Sequence, residues 1–387
     1  MPAKGVDNFV GQRLVQAKNV RGLSSLALSE LIEVSQSSIS LYESGKQKPR
    51  QEVVESLATA LRVPVSYFFK PASDSETKTL FYRSMAAATK ASRVLVEAKY
   101  SWARDLTEYV LEFIDFPPVN LPSFDIPADF RQLEVNQIES IANELRTHWN
   151  LGSAPIADVI RTLESNGVIV WRTCFESEKL DAFSESWKPH PFVVLSTDKD
   201  NYFRSRFDAA HELGHLVLHQ QVQRKHLTDA SDYKLLESQA HRFAGAFLTP
   251  AIAYSNDLYD LSVDVFRALK PRWNVTIAMQ IMRAHQLGLI DEEQKRRLYV
   301  GLSRRKWRKR EPLDDTVEPE KPSLLKKSVK LLLDEEVKTK EQLMAEISLS
   351  GVDLDILIDE PGLFSVQDGP SPKLRNIQSN IIPFRRQ

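Results

Sequence analysis

The hydrophobic pattern of the first 70 residues predicts a series of short helices. Apolar residues recur at helical spacing around Leu14 and then over 26–32, 36–44 and 51–61, and a last turn is expected at 66–69. Ser35 is placed to cap the third helix. Two short helices separated only by residues 33–35 are typical of a helix-turn-helix. We therefore predict a five-helix helix-turn-helix domain over residues 8–70.

The pattern that follows combines one long helix with a mixture of short strands and helices. Residues 80–116 place aromatic side chains, among them Trp102, Tyr109 and Phe113, at helical spacing, and a proline-rich stretch ends this helix. Further helices are predicted at 138–149, 156–166, around 203–219 and at 235–248, and strands at 168–171, 182–183 and 192–195. The predicted fold class is mainly α, with a small α+β domain at 130–312.

Three further segments flank these two domains. Residues 71–129 are expected to form a helical connector, since the long helix within it contains no glycine. Residues 313–367 carry the pattern of a small helical C-terminal segment. For the tail, 368–387, we expect disorder until it docks.

Composition and charge narrow the class of protein without naming its chemistry. A chain of 387 residues with 42% hydrophobic and 27% charged residues fits a globular protein of two or three domains. The net charge of −1 gives no global attraction to nucleic acid, so any basic surface must be local. One cysteine, Cys174, excludes an intramolecular disulfide and fits a reducing cytosol. Because residues 1–19 are polar and no apolar run approaches a membrane span, we expect a cytoplasmic protein with no membrane partner.

The strongest chemical signal is the run His211-Glu212-Leu213-Gly214-His215. Two histidines four residues apart lie on one face of a helix and can reach one metal ion, and Glu212 projects beside that face. Because the chain has only 8 histidines, we expect such a match by accident in roughly one case in a hundred. The alternative is a pair of core histidines that bond to neighbouring carbonyl groups.

A second cluster supplies a third candidate ligand. Glu237 lies on the apolar face of the 235–248 helix, where a carboxylate is costly to bury unless it is paired or binds a metal. Two histidines and one carboxylate, with water in the fourth position, are the ligands of an open catalytic zinc site. Glu212 would then act as general base and pass the proton to the leaving amine. The alternative for Glu237 is an ordinary salt bridge, for example with Arg242.

Two more histidines lie close to these residues in the sequence. His219 is one helical turn beyond His215, too far to share the metal easily, so we expect it to support the ligands from behind or to pack in the core. For His241 the pattern leaves two roles open: a hydrogen bond near the site, or a position facing solvent.

Residues 26–49, LALSELIEVSQSSISLYESGKQKP, resemble the Cro/C1 (Xre) family of phage-repressor DNA-binding domains. The resemblance implies that the second helix of the motif enters the major groove of operator DNA, where a glutamine can pair with adenine and a serine with several bases. The matching positions are Gln36, Ser37 and Ser40. Candidate phosphate contacts, which set affinity and not sequence, are Lys46, Lys48 and Arg50. The family often has Gln where Ser25 stands, and the alternative is a motif used only for protein contacts.

Residues 130–312 resemble the ImmA/IrrE family of zinc peptidases. Several motifs agree in order, among them Asp181-Ala182-Phe183-Ser184, Arg206-Phe207 with Ala210-His211-Glu212-Leu213-Gly214-His215-Leu216, and Glu237-x-x-Ala240-x-x-Phe243-Ala244. The resemblance implies a zincin-like catalytic domain in which His211, His215 and Glu237 hold one zinc ion and Glu212 is the catalytic carboxylate. It also implies cleavage of a partner repressor, typically another helix-turn-helix protein. The family commonly has Asn where this chain has His241.

Together the two resemblances predict a DNA-binding regulator, expected as a homodimer, whose zinc endopeptidase domain cleaves a repressor-type protein. Two alternatives stay open: a transcription factor whose zinc domain senses a ligand without proteolysis, and a fused toxin–antitoxin-like unit.

The structured connector suggests a further hypothesis, that operator occupancy and protease competence are linked. Operator affinity would then differ with and without saturating protein substrate, and equal affinities would contradict the link.

Overall fold

The computed structural model describes residues 5–72, 89–177, 179–199 and 201–365. Over this part the chain is mostly helical with a three-stranded sheet, which confirms the predicted fold class. The expected tail at 368–387 lies outside the described residues, and so do residues 73–88 of the predicted connector, which include the start of the long helix predicted at 80–116. Among the described helices, none combines the length and apolar character needed to cross a membrane.

The first domain has the predicted helix-turn-helix form, although its fifth helix is a 3₁₀ helix. The elements are α1 (Gly11–Val20), α2 (Ser25–Leu31), α3 (Gln36–Glu43), α4 (Gln51–Leu61) and the 3₁₀ helix Val65–Phe69. The Ser35 side chain accepts the Ser38 N–H and so caps α3. Leu28, Ile39 and Leu57 are fully buried between the helices. Polar caps and an apolar interior therefore explain these short helices, which would be marginal alone.

The rest of the described chain forms one sheet with helices on both sides. The helices are α5 (Lys90–Leu111), α6 (Val135–His148), α7 (Val159–Ser165), α8 (Tyr202–Leu218), α9 (Arg224–Thr228), α10 (Ala230–Leu248), α11 (Ala251–Asp257), α12 (Val263–Trp273), α13 (Ile277–Gln286), α14 (Glu292–Arg304), α15 (Leu324–Asp334), α16 (Lys340–Ile347) and α17 (Gly351–Ile358), with a short 3₁₀ helix at Phe130–Gln132. The strands are β1 (Ile169–Thr173), β2 (Ala182–Glu185) and β3 (Phe192–Ser196).

The sheet has the order β1-β3-β2, so β2 is an edge strand. Strand β1 runs parallel to β3, and β2 runs antiparallel to it with Phe183 opposite Val194. Both faces are buried: Val170 and Val193 belong to the cluster that includes α8 and α10, whereas Trp171 and Phe183 belong to the cluster that includes α5. Burial on both faces explains why the β1 and β3 sequences are continuous hydrophobic runs and do not alternate.

Helix α5 connects the first domain to the sheet and to the C-terminal helices. The buried Trp102 donates its indole N–H to the Tyr67 hydroxyl at 2.7 Å, which ties α5 to the first domain. The Tyr109 hydroxyl donates to Glu346 of α16 at 2.7 Å. Phe113, 39% exposed, lies under the Lys338 ammonium group at 4.8 Å. The aromatic residues of the connector therefore make contacts within the chain, both with the first domain and with the C-terminal segment.

The C-terminal helices pack against the first domain and the sheet. Arg21, the residue that follows α1, forms two hydrogen bonds of 2.7 Å with the Asp353 carboxylate of α17. At the start of α15, the Glu164 carboxylate accepts the backbone N–H groups of Ser323 and Leu324, both at 2.9 Å. Charged contacts between distant segments thus join the C-terminal helices to the first domain and to α7.

Candidate metal centre and recognition helix

The metal-ligand candidates lie where α8 crosses α10. The Asn201 side chain accepts the Arg204 N–H and starts α8, and the Asp229 side chain caps α10 in the same way. Gly214 permits the crossing, because a Cβ atom there would lie 3.1 Å from the Phe243 ring and 3.3 Å from the Ala240 Cα. This close approach brings the turn that precedes Ala240 opposite the two histidines of α8.

The three predicted ligands come together at this crossing. The Nε2 atoms of His211 and His215 are 3.1 Å apart, and the Glu237 carboxylate oxygens lie 3.4 Å from the first and 3.5 Å from the second. Their candidate ligand atoms all lie within 4.8 Å of one another. Two nitrogens bound to one zinc at 2.0–2.1 Å can be at most about 4.2 Å apart, so the spacing suits a shared ion. The arrangement fits a two-histidine, one-carboxylate zinc site.

The alternative partner for Glu237 is wrong, because Arg242 faces another carboxylate. Its Nε atom lies 2.6 Å from Glu139 of α6. Glu139 also receives both guanidinium ends of the buried Arg283 from α13, at 2.5 and 2.8 Å. This charged cluster joins α6, α10 and α13 and leaves Glu237 directed at the histidines.

The predicted DNA-contact residues of the first domain are all exposed. They are Gln36, Ser37 and Ser40 on α3, and Lys46, Lys48 and Arg50 just after it. The Ser40 hydroxyl donates to the Gln36 carbonyl at 3.2 Å, and the Lys48 ammonium lies 3.8 Å from Asp7. Ser25, which departs from the family pattern, accepts a 2.7 Å hydrogen bond from Lys18 and also contacts Glu43. Ser25 therefore holds helices of the domain together.

Two family descriptions match this chain. Residues 18–68 match the helix-turn-helix family, and residues 163–285 match the IrrE N-terminal-like domain of the M78 peptidases. The chain joins a Cro/C1-type helix-turn-helix domain to an IrrE-like peptidase domain. The IrrE-like match begins in α7 and ends in α13, so it contains the sheet and all three candidate ligands.

A curated relative shares part of this chain. The uncharacterized HTH-type transcriptional regulator y4aM of Sinorhizobium fredii is 33% identical to it over 72 residues, which are 19% of this chain and 50% of the relative. The chain thus spans about half the length of that protein.

In the IrrE-like domain, a chain of hydrogen bonds fixes the tautomer of His215. The Gln239 amide N–H donates to the Phe130 carbonyl at 2.7 Å, so the amide oxygen faces His219 Nε2 at 3.0 Å and must accept from it. The pKa of His219 is lowered to about 3, mainly by burial and to a smaller extent by the neighbouring His215. The His219 ring is therefore neutral. Its Nδ1 then accepts a hydrogen from His215 Nδ1 at 2.8 Å. The lone pair of His215 Nε2 is left facing His211 and Glu237, as zinc binding requires.

The His211 ring packs against other aromatic side chains. His241 packs edge-on against His211, with ring centroids 4.5 Å apart, and Phe207 lies 5.5 Å from His241. The Nδ1 atom of His241 donates to the Glu237 carbonyl at 2.7 Å. His241 therefore lies on the exposed side of the site but touches it, and it combines the two roles that the sequence left open.

Glu212 is buried beside the ligands and held by the edge strand. The Ser184 hydroxyl of β2 donates to its carboxylate at 2.6 Å. Burial raises the pKa of Glu212 to about 7, while His215 and the Ser184 hydrogen bond act in the opposite direction. The next residue along β2, Glu185, accepts a 2.5 Å hydrogen bond from Tyr100 of α5. The edge strand therefore touches both the candidate catalytic carboxylate and the connector.

The sequence analysis assigned no function to Ser184 and Gln239, whose side chains form hydrogen bonds with Glu212 and His219. Ser184 was visible only as the last residue of the family motif that begins at Asp181. Gln239 was visible as a polar side chain next to the apolar stripe of α10, and it is 3% exposed. A polar residue beside a buried stripe indicates a hydrogen-bond partner, but only the fold shows which partner it has.

The space beside Glu212 is narrow. Its cavity of about 10 Å³ is lined by Glu212, His215, Glu237 and Ser184, and closed by Leu227, Tyr233 and Leu236. A volume of this size holds about one water molecule. This enclosed space therefore has room for a small reactant such as one water molecule.

Replacing Gln239 with Leu should weaken zinc binding about 10–100-fold, because His219 would lose the acceptor that fixes its tautomer. Zinc affinity of the purified full chain, measured by competition with a chelating dye, tests this. Gln220→Leu is the matched control, since the hydrogen bond that the structure describes for the Gln220 side chain goes to the Leu216 carbonyl in the last turn of α8. Equal zinc affinity in Gln239→Leu and the control would contradict the proposed relay.

Proposed function

We propose that this chain is a transcriptional regulator whose IrrE-like domain is a zinc-dependent endopeptidase that cleaves a repressor-type protein. The observation that carries the proposal is the convergence of His211, His215 and Glu237 beside the buried Glu212. The same chain presents an exposed recognition helix, so DNA binding and peptide cleavage would act within one molecule. With operator DNA as its partner, the protein would act in the cytoplasm.

The chain's own residues have distinct roles in the proposed cleavage. His211, His215 and Glu237 would hold one zinc ion, which supplies Lewis acidity and acidifies water at neutral pH. Glu212 takes the proton of the attacking water and delivers it to the leaving amine. Ser184 keeps the Glu212 carboxylate oriented through its 2.6 Å hydrogen bond. The buried position of Glu212 raises its basicity, which suits proton transfer near neutral pH.

The edge strand offers a place for the substrate backbone. Strand β2 pairs with β3 on one side only, and Ser184 of this strand touches Glu212. An extended peptide can add to such an edge through main-chain hydrogen bonds. We therefore propose that the substrate lies along β2 in extended form. Mixing the zinc-loaded chain with candidate helix-turn-helix repressors, and mapping products by mass spectrometry, tests cleavage directly.

We further propose that a dimer of the chain reads a palindromic operator through α3. Gln36→Ala should relax base preference at one position by about 1–3 kcal/mol, because a bidentate contact to a base edge is lost. Lys46→Ala should weaken all sequences alike and reduce the salt dependence by about one phosphate contact. Selection from random DNA, followed by titrations at several salt concentrations, measures both effects. A selection that returns no enriched motif would contradict sequence-specific binding.

A second candidate function is a transcription factor whose zinc domain senses a ligand without proteolysis. The cavity of about 10 Å³ beside Glu212 favours it, since a peptide carbonyl needs more space than one water molecule. Promoter activity in cells separates the two functions. A sensor would need zinc but not the general base, so Glu212→Gln would regulate normally while Glu237→Ala would not. A protease would lose regulation in both variants.

A further inference from the structure

A second cavity opens on the other side of the metal centre. It has a volume of about 240 Å³ and lies between α8, α10, α13 and α14. Most of its wall is apolar or aromatic, and the side chains that matter here are Phe207, His241, Ala278, Met279 and Met282. Gly245 of α10 also lines it, and a Cβ atom there would lie 3.1 Å from the Gln286 side chain. The missing side chain therefore helps to keep this cavity open.

The His241 ring separates this cavity from His211, a metal-ligand candidate. His241 lines the cavity and also packs against His211, with ring centroids 4.5 Å apart. Phe207, one turn before His211 on α8, forms the adjacent wall. A peptide held at the ligands would therefore have a side chain within reach of this space, whereas the cavity on the His215 side holds about 10 Å³.

We infer that this cavity receives one large apolar side chain of the protein that the IrrE-like domain binds. The inference rests on the proposed function for the identity of the guest, and on the cavity itself for its chemistry. At about 240 Å³ the cavity is smaller than the roughly 300–1,000 Å³ typical of pockets for drug-sized ligands. One Leu, Met or Phe side chain suits it better than a whole small molecule. Met279 and Met282 can adapt to guests of different shape, because methionine is flexible and polarizable.

The test compares cleavage of peptide libraries by the full zinc-loaded chain and by three variants. The wild type should select Leu, Met or Phe at one position beside the cleaved bond. Ala278→Phe fills the cavity and should reduce the Leu-over-Ala preference at that position at least about 10-fold, with cleavage of Ala-containing peptides retained. Met282→Ala, a change at a residue that is 38% exposed, enlarges the cavity and should shift selection toward larger side chains. Leu289→Ala is the control: Leu289 is 37% exposed and lies just beyond α13, outside the cavity.

A binding measurement separates failure of this inference from failure of the protease proposal. The probes are N-acetyl-leucinamide and N-acetyl-alaninamide, observed by ligand-detected NMR with the zinc-loaded chain. Cleavage without an apolar preference, or a preference unchanged in Ala278→Phe, would overturn the inference and leave the protease standing. If no peptide is cleaved, the protease proposal fails, and the probes decide the inference. Leucinamide binding that is lost in Ala278→Phe supports it, and absence of leucinamide binding overturns it.

Discussion

Replacing Glu212 with Gln should lower peptide-bond cleavage about 10²–10⁴-fold while one zinc ion per chain stays bound. Gln has nearly the same shape, and its side chain can still accept the Ser184 hydrogen bond, so the fold and the ligands are kept. It cannot take a proton from water, so the loss falls on the chemical step. Measured with saturating substrate, kcat should fall and KM should change little.

The control for this variant is Ser184→Ala, which leaves the Glu212 carboxylate in place but removes its positioning hydrogen bond. Its effect on kcat should be much smaller than that of Glu212→Gln. Zinc content, determined on the same preparations, shows whether either variant acts through the metal. Unchanged cleavage in Glu212→Gln would exclude Glu212 as the general base.

Replacing Glu237 with Ala should weaken zinc binding by more than about 100-fold, beyond the usual effect of a residue that only supports a ligand. The variant removes the carboxylate that lies 3.4 and 3.5 Å from the two histidine nitrogens. Cleavage should be lost with the metal. A chelator should lower the melting temperature of the wild type, because bound zinc stabilises the folded state, and should leave Glu237→Ala unchanged.

An exposed glutamate of the same domain supplies the control for the metal experiment. Glu144 is exposed on α6, and the hydrogen bond that the structure describes for its side chain is a local one from Ser140. Glu144→Ala should keep one zinc ion per chain and the response to chelator. Zinc that remains near one per chain in Glu237→Ala would remove Glu237 from the ligand set.

The local elements of this protein could be predicted from its sequence, because their signals are short-range. Ser35 as a cap, the helical spacing of apolar residues in 51–61 and the continuous hydrophobic run at 168–171 each depend on a few neighbouring residues. The spacing of His211 and His215 likewise places both on one helical face whatever surrounds the helix. Glu237 could be suspected from its place on an apolar stripe, since a carboxylate there needs a partner.

Contacts between distant segments could not be read from the sequence, since they depend on how the helices pack. The residues around Gln239 in the sequence do not show that its side chain forms hydrogen bonds with both His219 and Phe130. Those around Arg242 do not show that its ion-pair partner is Glu139. The cavity beside His241 exists only because α13 and α14 lie against α8 and α10.

Patterns along the chain were enough to predict the two domain types, the helical face that carries the histidines and the candidate general base. The distances between Glu237 and the two histidines, the tautomer of His215 and the position of the cavity beside the site follow from the packing of distant segments. The physical reason is the range of each effect. Helical periodicity and capping act over about four residues, whereas ligand convergence and cavity shape depend on side chains brought together by close packing of distant segments.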